Sequence, residues 1–349
     1  MNKGIKKLIA LAVSTGLVLT SAAAFADDFN PDKEDGKYID EIRAVNGLEV
    51  KVKAGTRLGA VAKSFSNEFW RTLKEGYEYS ANAIGITITV DGTSDEADET
   101  GQQTIMENMI NDGYDGIMVS PISDSNMTAA VEDAADAHIP VFNVNDGLIA
   151  TAPYFIGPNA YTDGTMAAEW TSSKLGAEGG DVAIVIGMAK AFAARERTAG
   201  YEDWVAEHPE SNLNIWAKQN ADWDRQKAKE LAATWLIQNP DLKAIFCNND
   251  DMALGVVEAV IEADSDCLVI GVDGIGEAYD SIRAGKLDAT VDSFPYYMAQ
   301  IAAECTLRCL AGEEMPRVVW TPLAMIDSSN VDTSAAEIIN WTDSTYVIE

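Results

Sequence analysis

The feature that most constrains the fold is a regular alternation of short apolar runs with longer amphipathic stretches, which begins at Arg57. Short apolar runs bounded by turn residues predict buried strands, and the amphipathic stretches between them predict helices. A first set has strands over 58–63, 86–90, 116–120 and 140–144, with helices over 67–83, 97–111 and 125–137. A second set has strands over 154–157, 182–187, 213–217, 244–248 and 268–272, with helices over 160–175, 193–207, 224–238, 252–263 and 275–284.

Strands that alternate with helices form parallel sheets. Two such sets in a chain of 349 residues predict an α/β protein with two similar doubly wound domains. Further elements over 289–291, 298–310, 318–320 and 323–326 follow the second set, so we expect the chain to cross between the domains more than once. Residues 27–55 are polar and acidic, with a short helix over 38–45, and we interpret them as an extension that precedes the fold.

The charge balance excludes one class of partner. The whole chain carries a formal net charge of −31. Its first 26 residues hold three lysines and no acids, which leaves 22 Lys and Arg against 56 Asp and Glu in the remainder. Such an excess of acids repels phosphate backbones, so we expect no nucleic-acid partner. The acids are spread over predicted helices and loops, which is typical of a solvated surface.

The N-terminus has the pattern of an export signal. Three lysines lie within the first seven residues, an apolar stretch covers 8–20, and Ala24 and Ala26 form a small-residue cleavage site. We expect cleavage after Ala26. No Cys lies near that site to suggest a lipid anchor, and no later apolar run approaches the length of a membrane span. We therefore expect the mature protein to be soluble and outside the cytoplasmic membrane.

The cysteines predict neither disulfides nor a metal site. Cys247 ends one predicted strand and Cys267 begins another, while Cys305 and Cys309 lie one helical turn apart, where a disulfide is geometrically awkward. With only two histidines in the chain, no Cys and His zinc cluster can form. We therefore predict buried free thiols, with no metal and no cofactor.

Polar and aromatic side chains follow the ends of several predicted strands. Parallel strands end at one edge of the sheet, and open α/β sheets bind ligands in the crevice at that edge. The candidate ligand-binding residues are Lys63, Asn67, Phe69, Trp70, Asn145, Asp146, Arg195, Trp223, Asn249, Asp273 and Ser293.

Each of these residues alone has a simpler explanation. Asn or Asp after a strand is commonly a turn former or a helix N-cap, and we expect Asp224 and Asp250 to be such caps. Phe69 and Trp70 could simply pack the first helix onto the sheet. The convergence of several such positions with two tryptophans is harder to explain by capping alone.

The chemistry of this set suits a neutral, polyhydroxylated ligand. Each sugar hydroxyl both donates and accepts hydrogen bonds, so carboxylates, amides, Lys and Arg can surround it. The apolar C–H face of a sugar needs an aromatic ring against it. A phosphate would require a glycine-rich cradle, but the glycines of 271–276 surround Asp273, whose charge repels phosphate. The residues therefore predict a sugar or polyol.

With these residues in view, the sequence resembles the sugar-binding proteins of ABC importers, the ribose/allose-binding-like members of the type I periplasmic binding protein family. The motifs that carry the resemblance are KSFSNEFW (63–70), ARER (194–197), ADWDR (221–225), NDDMALG (249–255) and GVDG (271–274).

The resemblance implies two lobes joined by a three-crossover hinge. Lobe 1 would comprise 56–157 and 294–322, and lobe 2 would comprise 158–293 and 323–349. The polar candidates would bond sugar hydroxyls, and Phe69, Trp70 and Trp223 would enclose the ring. Glu68 stands where the family usually has Pro, and Ser293 stands where it usually has Gln, so the identity of the sugar stays open.

The resulting hypothesis is a monomeric solute-binding protein that delivers a monosaccharide or polyol to a membrane ABC permease without catalysis. One alternative is a sensor that presents its closed form to a chemoreceptor or a histidine kinase. Another is an exported glycosidase that uses Asp146 and Asp273, although no general acid stands beside a nucleophile. A transcriptional repressor of related fold is excluded by the export signal.

Overall fold

The computed structural model describes residues 29–349, so the predicted signal and its cleavage after Ala26 lie outside the described residues. The first described elements are a 3₁₀ turn at Pro31–Lys33, β1 (Lys37–Tyr38), α1 (Ile39–Asn46) and β2 (Glu49–Val52). The first alternating set follows as β3 (Arg57–Ser64), α2 (Glu68–Ile84), β4 (Thr87–Thr93), α3 (Glu99–Asn111), β5 (Gly116–Val119), α4 (Thr128–Asp136), β6 (Val141–Val144) and β7 (Tyr154–Gly157).

The second alternating set begins with a helix. It comprises α5 (Ala160–Leu175), β8 (Gly180–Ile186), α6 (Phe192–Glu207), β9 (Leu213–Asn220), α7 (Arg225–Gln238), β10 (Ala244–Cys247), α8 (Asp250–Glu262), β11 (Leu268–Asp273), α9 (Gly276–Arg283) and β12 (Ala289–Asp292). The chain then forms α10 (Pro295–Leu310), β13 (Val318–Trp320), β14 (Ala324–Asp327), α11 (Ala335–Ile338) and β15 (Thr345–Ile348).

These strands form two large sheets, each the centre of one lobe. The sheet of lobe 1 has the order β1-β13-β7-β6-β5-β3-β4, and every pairing in it is parallel. The sheet of lobe 2 has the order β14-β12-β11-β10-β8-β9, in which only β14 runs antiparallel. The central strands are buried along their whole length because helices cover both faces. The predicted two-lobed parallel α/β fold is confirmed.

Up to β14, the chain crosses between the lobes at three places. It enters lobe 2 between β7 and α5, returns to lobe 1 between β12 and α10, and enters lobe 2 again between β13 and β14. Each crossing connects the end of an element in one lobe directly to an element in the other. These three segments form the hinge side of the molecule.

The structure differs from the predicted division at both ends of the chain. The predicted extension is part of lobe 1, because β1 pairs with β13 at the edge of that sheet. Residues after β14 do not stay in lobe 2, because β15 forms a two-stranded parallel sheet with β2. The chain therefore passes between the lobes a fourth time.

A buried ionic network fastens both chain ends to α10. The guanidinium of Arg43 in α1 binds Glu304 at 2.7 Å and donates to the carbonyl of Thr342 at 2.8 Å. Arg308 binds the other oxygen of Glu304 and donates to the carbonyl of Gly47. Each charge in this network is paired, which offsets the cost of its burial.

Local signals explain where the helix that positions the site begins and ends. The side chain of Asn67 caps α2 by accepting the backbone N–H of Phe69 at 2.9 Å. The helix ends at Gly85, whose left-handed φ of 80° suits a residue without Cβ. In the middle of α2, a Cβ on Gly76 would come within 2.2 Å of the Tyr296 carbonyl, so glycine permits close packing of α2 against α10.

All four cysteines are free thiols, as predicted, and Cys309 is the one that is not fully buried. Within residues 29–349, none of the helices has the length and apolar character needed to cross a membrane.

Candidate functional site

A cleft between the two lobes collects most of the predicted ligand-binding residues. About 270 Å³ between its walls is free of protein atoms, part of it open to solvent. Its lining residues are Asn67, Phe69, Trp70, Glu96, Asn145, Asp146, Arg197, Trp223, Asn249 and Asp273. Because these residues follow strands of both sheets, the strand ends of the two lobes face each other across the cleft, as expected for parallel sheets.

Aromatic rings from both lobes flank the cleft. Phe69 and Trp70 open α2 in lobe 1 and meet edge to face, with ring centroids 4.7 Å apart. Trp223 follows β9 in lobe 2 and is 7% exposed. The ammonium of Lys63 lies 5.6 Å from the ring centroid of Trp70 and 5.7 Å from that of Trp223. It therefore makes a cation–π contact with one ring from each lobe.

The position of Trp223 depends on a glycine beneath it. A Cβ on Gly187 would come within 2.2 Å of the indole ring, closer than any side chain permits. Trp223 itself has a left-handed φ of 66°. Packing of the indole ring against Gly187 therefore helps to keep the backbone of Trp223 in a conformation that tryptophan rarely adopts.

A charged layer forms the floor of the cleft. At the end of β3, Lys63 is fully buried and forms an ion pair with Asp146. In lobe 2, the guanidinium of Arg197 binds Asp163 at 2.8 Å and lies 3.5 Å from Asp273. Burial raises the pKa of Asp273 well above the ordinary value, and the charge of Arg197 opposes that shift.

Several polar atoms of this layer have no hydrogen-bond partner in the part of the chain that the structure describes. They are Oδ1 of Asp146, Nη2 of Arg197 and Nε1 of Trp223, and all three belong to residues that line the cleft. Buried polar groups are nearly always hydrogen-bonded, so this cluster of one acceptor and two donors indicates a site that a polar ligand completes.

The structure does not place three of the predicted residues on the cleft wall. Lys63 lies directly behind it, in contact with Asp146. Ser293 is buried behind Asp273, to whose carbonyl its hydroxyl donates at 3.4 Å. Arg195 is not a lining residue, because its guanidinium pairs with Asp124 of lobe 1 at one side of the cleft, with 46% of its side chain exposed.

The guanidinium that lines the cleft is Arg197, so the sequence prediction was displaced by two residues. Residues two apart on a helix face different directions. Arg197 shares its face of α6 with the buried residues Ala193, Ala194 and Tyr201, and this spacing could have identified it. Glu96, in the loop after β4, also lines the cleft, and no motif in the sequence marks it.

Helix caps account for part of the site, although not in the predicted way. Asp224 caps α7, as expected. Asp250 does not cap α8, because its carboxylate accepts the backbone N–H groups of Gly274 and Ile275. Asn249 is the cap instead, and its side-chain oxygen accepts the N–H of Met252 at 3.0 Å. The Asn249 side chain therefore both fixes the helix and faces the cleft.

The lobes touch on both sides of the cleft. On one side, Asp124 of lobe 1 accepts the backbone N–H of Phe192 and pairs with Arg195. On the other side, Glu68 of lobe 1 accepts the N–H of Glu277 at 3.2 Å. The structure is thus a closed arrangement.

Among the described residues, no group of three His, Cys, Asp or Glu side chains is placed to hold a metal ion.

Comparison with known proteins identifies the family. Residues 58–314 match the family described as the periplasmic binding protein domain. The chain belongs to this family. Among curated members, it is 34% identical over 258 residues to the D-allose-binding periplasmic protein of Escherichia coli, which covers 71% of this chain and 82% of that protein. It is 32% identical over 273 residues to the ribose import binding protein of Bacillus subtilis, covering 77% of this chain and 86% of that protein.

A solved member of the periplasmic binding protein family has the same fold. It is the ABC transporter periplasmic solute-binding protein of Actinobacillus succinogenes, solved with bound D-allose. The two share 27% identity with a TM-score of 0.76 over 80% of this chain and all of that one. The family predicted from the sequence motifs is confirmed.

Proposed function

We propose that this protein captures one monosaccharide or polyol between its lobes in the periplasm and delivers it to the permease of an ABC importer. The observation that carries the proposal is the cleft itself. It combines aromatic rings from both lobes with buried donors and acceptors that have no partner among the described residues. A ligand with apolar C–H faces and a rim of hydroxyls satisfies both features.

In this proposal each predicted residue except Arg195 has a defined role, and Arg197 takes the place of Arg195. Trp70 and Trp223 cover the two faces of the sugar ring, with Phe69 at its edge. Asp146, Asp273 and Arg197 form charge-assisted hydrogen bonds with hydroxyls, and Asn67, Asn145 and Asn249 complete the set. Lys63 holds Asp146 in place, and Ser293 supports the backbone of Asp273.

The relatives support the class of ligand. The curated relatives are named for D-allose and ribose, and the similar solved protein holds D-allose. Their names also place them in the periplasm or in import, which supports a periplasmic location and a permease as the partner. We further propose that the protein acts as a monomer and without catalysis.

The mechanism requires only a change in the equilibrium between open and closed lobes. Trp70 and Asp146 belong to lobe 1, whereas Trp223, Arg197 and Asp273 belong to lobe 2. A ligand that binds both sets gains most of its contacts only when the lobes are closed. It therefore shifts the population toward the closed form through its differential affinity.

A thermal-shift screen followed by calorimetry tests this function. The panel comprises D-allose, D-ribose, D-fucose, myo-inositol and glycerol, with citrate and L-leucine as non-sugar controls. We expect at least one sugar or polyol to raise the melting temperature and to bind with one-to-one stoichiometry, because a ligand of the native state stabilises it by mass action. If no sugar or polyol of the panel raises the melting temperature of the protein, the proposal is contradicted.

A further inference from the structure

Glu96 lines the cleft from a loop whose position is fixed by the sheet. Thr93, at the end of β4, donates its hydroxyl to the carbonyl of Lys63 in β3 at 2.7 Å, which ties the loop to the neighbouring strand. The indole N–H of Trp70 donates to Oε1 of Glu96 at 2.9 Å. The carboxylate of Glu96 is therefore held at the aromatic wall that lobe 1 contributes to the cleft.

Glu96 differs from the other carboxylates of the cleft in its partners. Asp146 pairs with Lys63, and Asp273 lies 3.5 Å from Arg197. Glu96 accepts the neutral N–H of Trp70 and, within residues 29–349, forms no ion pair. Burial raises the pKa of Glu96, and the charge of Lys63 only partly opposes this shift.

The cleft contains more acidic than basic side chains. Glu96, Asp146 and Asp273 line it, and the cations beside them are Lys63 and Arg197. Arg197 is also shared with Asp163, which lies behind the wall. A ligand carboxylate or phosphate would add a negative charge to this enclosed, weakly screened space, where like charges repel strongly. An ammonium group on the ligand would instead offset the excess of acidic groups in the cleft.

We propose that Glu96 is a specificity-determining residue that accepts a hydrogen bond from a hydroxyl or ammonium group of the ligand and excludes anionic ligands. The class of ligand is then a neutral or amino-substituted sugar or polyol. This inference rests on the proposed function, because it presupposes a polyhydroxylated ligand in the cleft. It adds a rule of charge selection that the aromatic rings and the paired carboxylates do not supply.

The test compares three derivatives of one scaffold. The scaffold is the member of the panel above that binds most tightly, and the probes are this neutral compound, its amino derivative and its carboxylate or phosphate derivative. Calorimetry measures all three with the wild type, Glu96→Gln and Glu96→Asp. Glu132→Gln is the matched control, because Glu132 is an exposed acid of α4 in the same lobe. Melting temperatures confirm that each variant is folded.

In the wild type we expect the amino derivative to bind at least as tightly as the neutral compound, and the anionic derivative to bind about a hundredfold more weakly, since apposed like charges cost several kcal/mol. Glu96→Gln still accepts the Trp70 N–H but carries no charge. Glu96→Gln should reduce the ratio of the dissociation constants of the anionic and amino derivatives by at least about tenfold, a change of about 1.4 kcal/mol. Glu96→Asp and Glu132→Gln should keep the wild-type order.

If Glu96→Gln leaves the ratio of the dissociation constants of the anionic and amino derivatives unchanged and still binds the neutral compound, the role of Glu96 is overturned and the proposed function stays intact. Equal wild-type affinity for the anionic and neutral compounds would overturn it as well. Failure of every neutral compound to bind would instead contradict the proposed function, and with it the selectivity assigned to Glu96.

Discussion

At the scale of single residues, the cleft is built from side chains on unusual backbone conformations. Asn145, Asp146, Trp223 and Asp273 have φ angles of 55°, 60°, 66° and 132°. Such conformations in residues other than glycine cost on the order of 1–3 kcal/mol each and persist only where the surroundings enforce them. Their concentration around one cleft indicates that the strand ends are shaped to present these side chains.

The two arginines of α6 provide a prediction with its own matched control. Arg197→Gln should weaken ligand binding by about ten- to a hundredfold, because a charge-assisted hydrogen bond contributes about 1.5–3 kcal/mol. Arg195→Gln removes an exposed ion pair with Asp124 and an exposed hydrogen bond to the carbonyl of Ala189. Exposed pairs contribute at most about 1 kcal/mol, so affinity should fall by no more than about fivefold. Calorimetry with the tightest ligand of the panel measures both variants.

Arg197→Gln also leaves the buried Asp163 without its cation, so its melting temperature must be measured and the titration performed where the variant is folded. A larger loss of affinity in Arg195→Gln than in Arg197→Gln would show that the wrong guanidinium has been assigned to the cleft.

Most residues that line the cleft could be predicted from the sequence, because they follow strand ends. The position of a strand end depends on the local pattern of apolar residues. Arg195 was wrongly chosen over Arg197 because the motif contains both and only the helical face separates them. Glu96 was missed because it lies in a polar loop whose acids have no periodicity. Its place in the cleft depends on the non-local bond from Thr93 to Lys63.

At the scale of elements, the N-terminal segment acts at the hinge. Phe29 packs in a cluster with Leu148 and Trp320 of lobe 1 and with Ala160 and Phe192 of lobe 2. In the adjoining turn, the carboxylate of Asp32 accepts the backbone N–H of Tyr161 at 2.8 Å, at the start of α5 in lobe 2. The segment is joined to lobe 1 through β1, so it bridges both lobes where the chain first crosses between them.

Truncation of Phe29 tests this bridging role. Phe29→Ala removes a ring that is 9% exposed. It should lower the free energy of unfolding by about 2–4 kcal/mol, because large-to-small changes at buried aromatics cost about 3–5 kcal/mol and this site lies at the edge of a core. Val45→Ala is the control, since Val45 is 80% exposed on α1. Surface changes of that kind usually stay within about 0.5 kcal/mol.

Denaturant unfolding of both variants gives the comparison. Equal stability of Phe29→Ala and the wild type would mean that the N-terminal segment rests on the hinge without supporting it.

The pairing of the chain ends could not be predicted from the sequence. The strands and helices from β3 to β14 follow local periodicity, and their predicted bounds differ from the structure by only a few residues. By contrast, β1 is two residues long and β2 pairs with β15 at the opposite end of the chain. The Arg43–Glu304 bond that fixes α1 likewise joins distant parts of the sequence. No local pattern records such partners.

At the scale of the whole molecule, buried carboxylates determine how stability varies with pH. Burial raises the pKa of Asp163 to about 6, that of Asp32 to about 7 and that of Asp292 to about 8. These groups bind protons in the folded state over a range where the unfolded chain has released them. Stability must therefore fall as the pH rises from about 4 to about 8.

We expect a higher melting temperature at pH 5.5 than at pH 8. The net charge of −31 acts in the same direction, because self-repulsion grows as the remaining acids ionise. Glu277 has the opposite dependence, since hydrogen bonds from Arg225 lower its pKa, but its contribution is lost only below the ordinary glutamate range. Calorimetric melting across this range at constant ionic strength measures the effect, and a melting temperature that rises with pH would contradict it.

The central claim is that a sugar or polyol ring is enclosed between Trp70 of lobe 1 and Trp223 of lobe 2, and titration of Trp223→Ala tests it most directly. The control is Trp204→Ala, which removes a tryptophan of the same lobe that stacks on His208 outside the cleft. Isothermal calorimetry with the tightest ligand of the panel should show wild-type affinity for Trp204→Ala. For Trp223→Ala it should show a loss of at least about tenfold, or about 1.4 kcal/mol. Unchanged affinity in Trp223→Ala, with the protein folded, would contradict the claim.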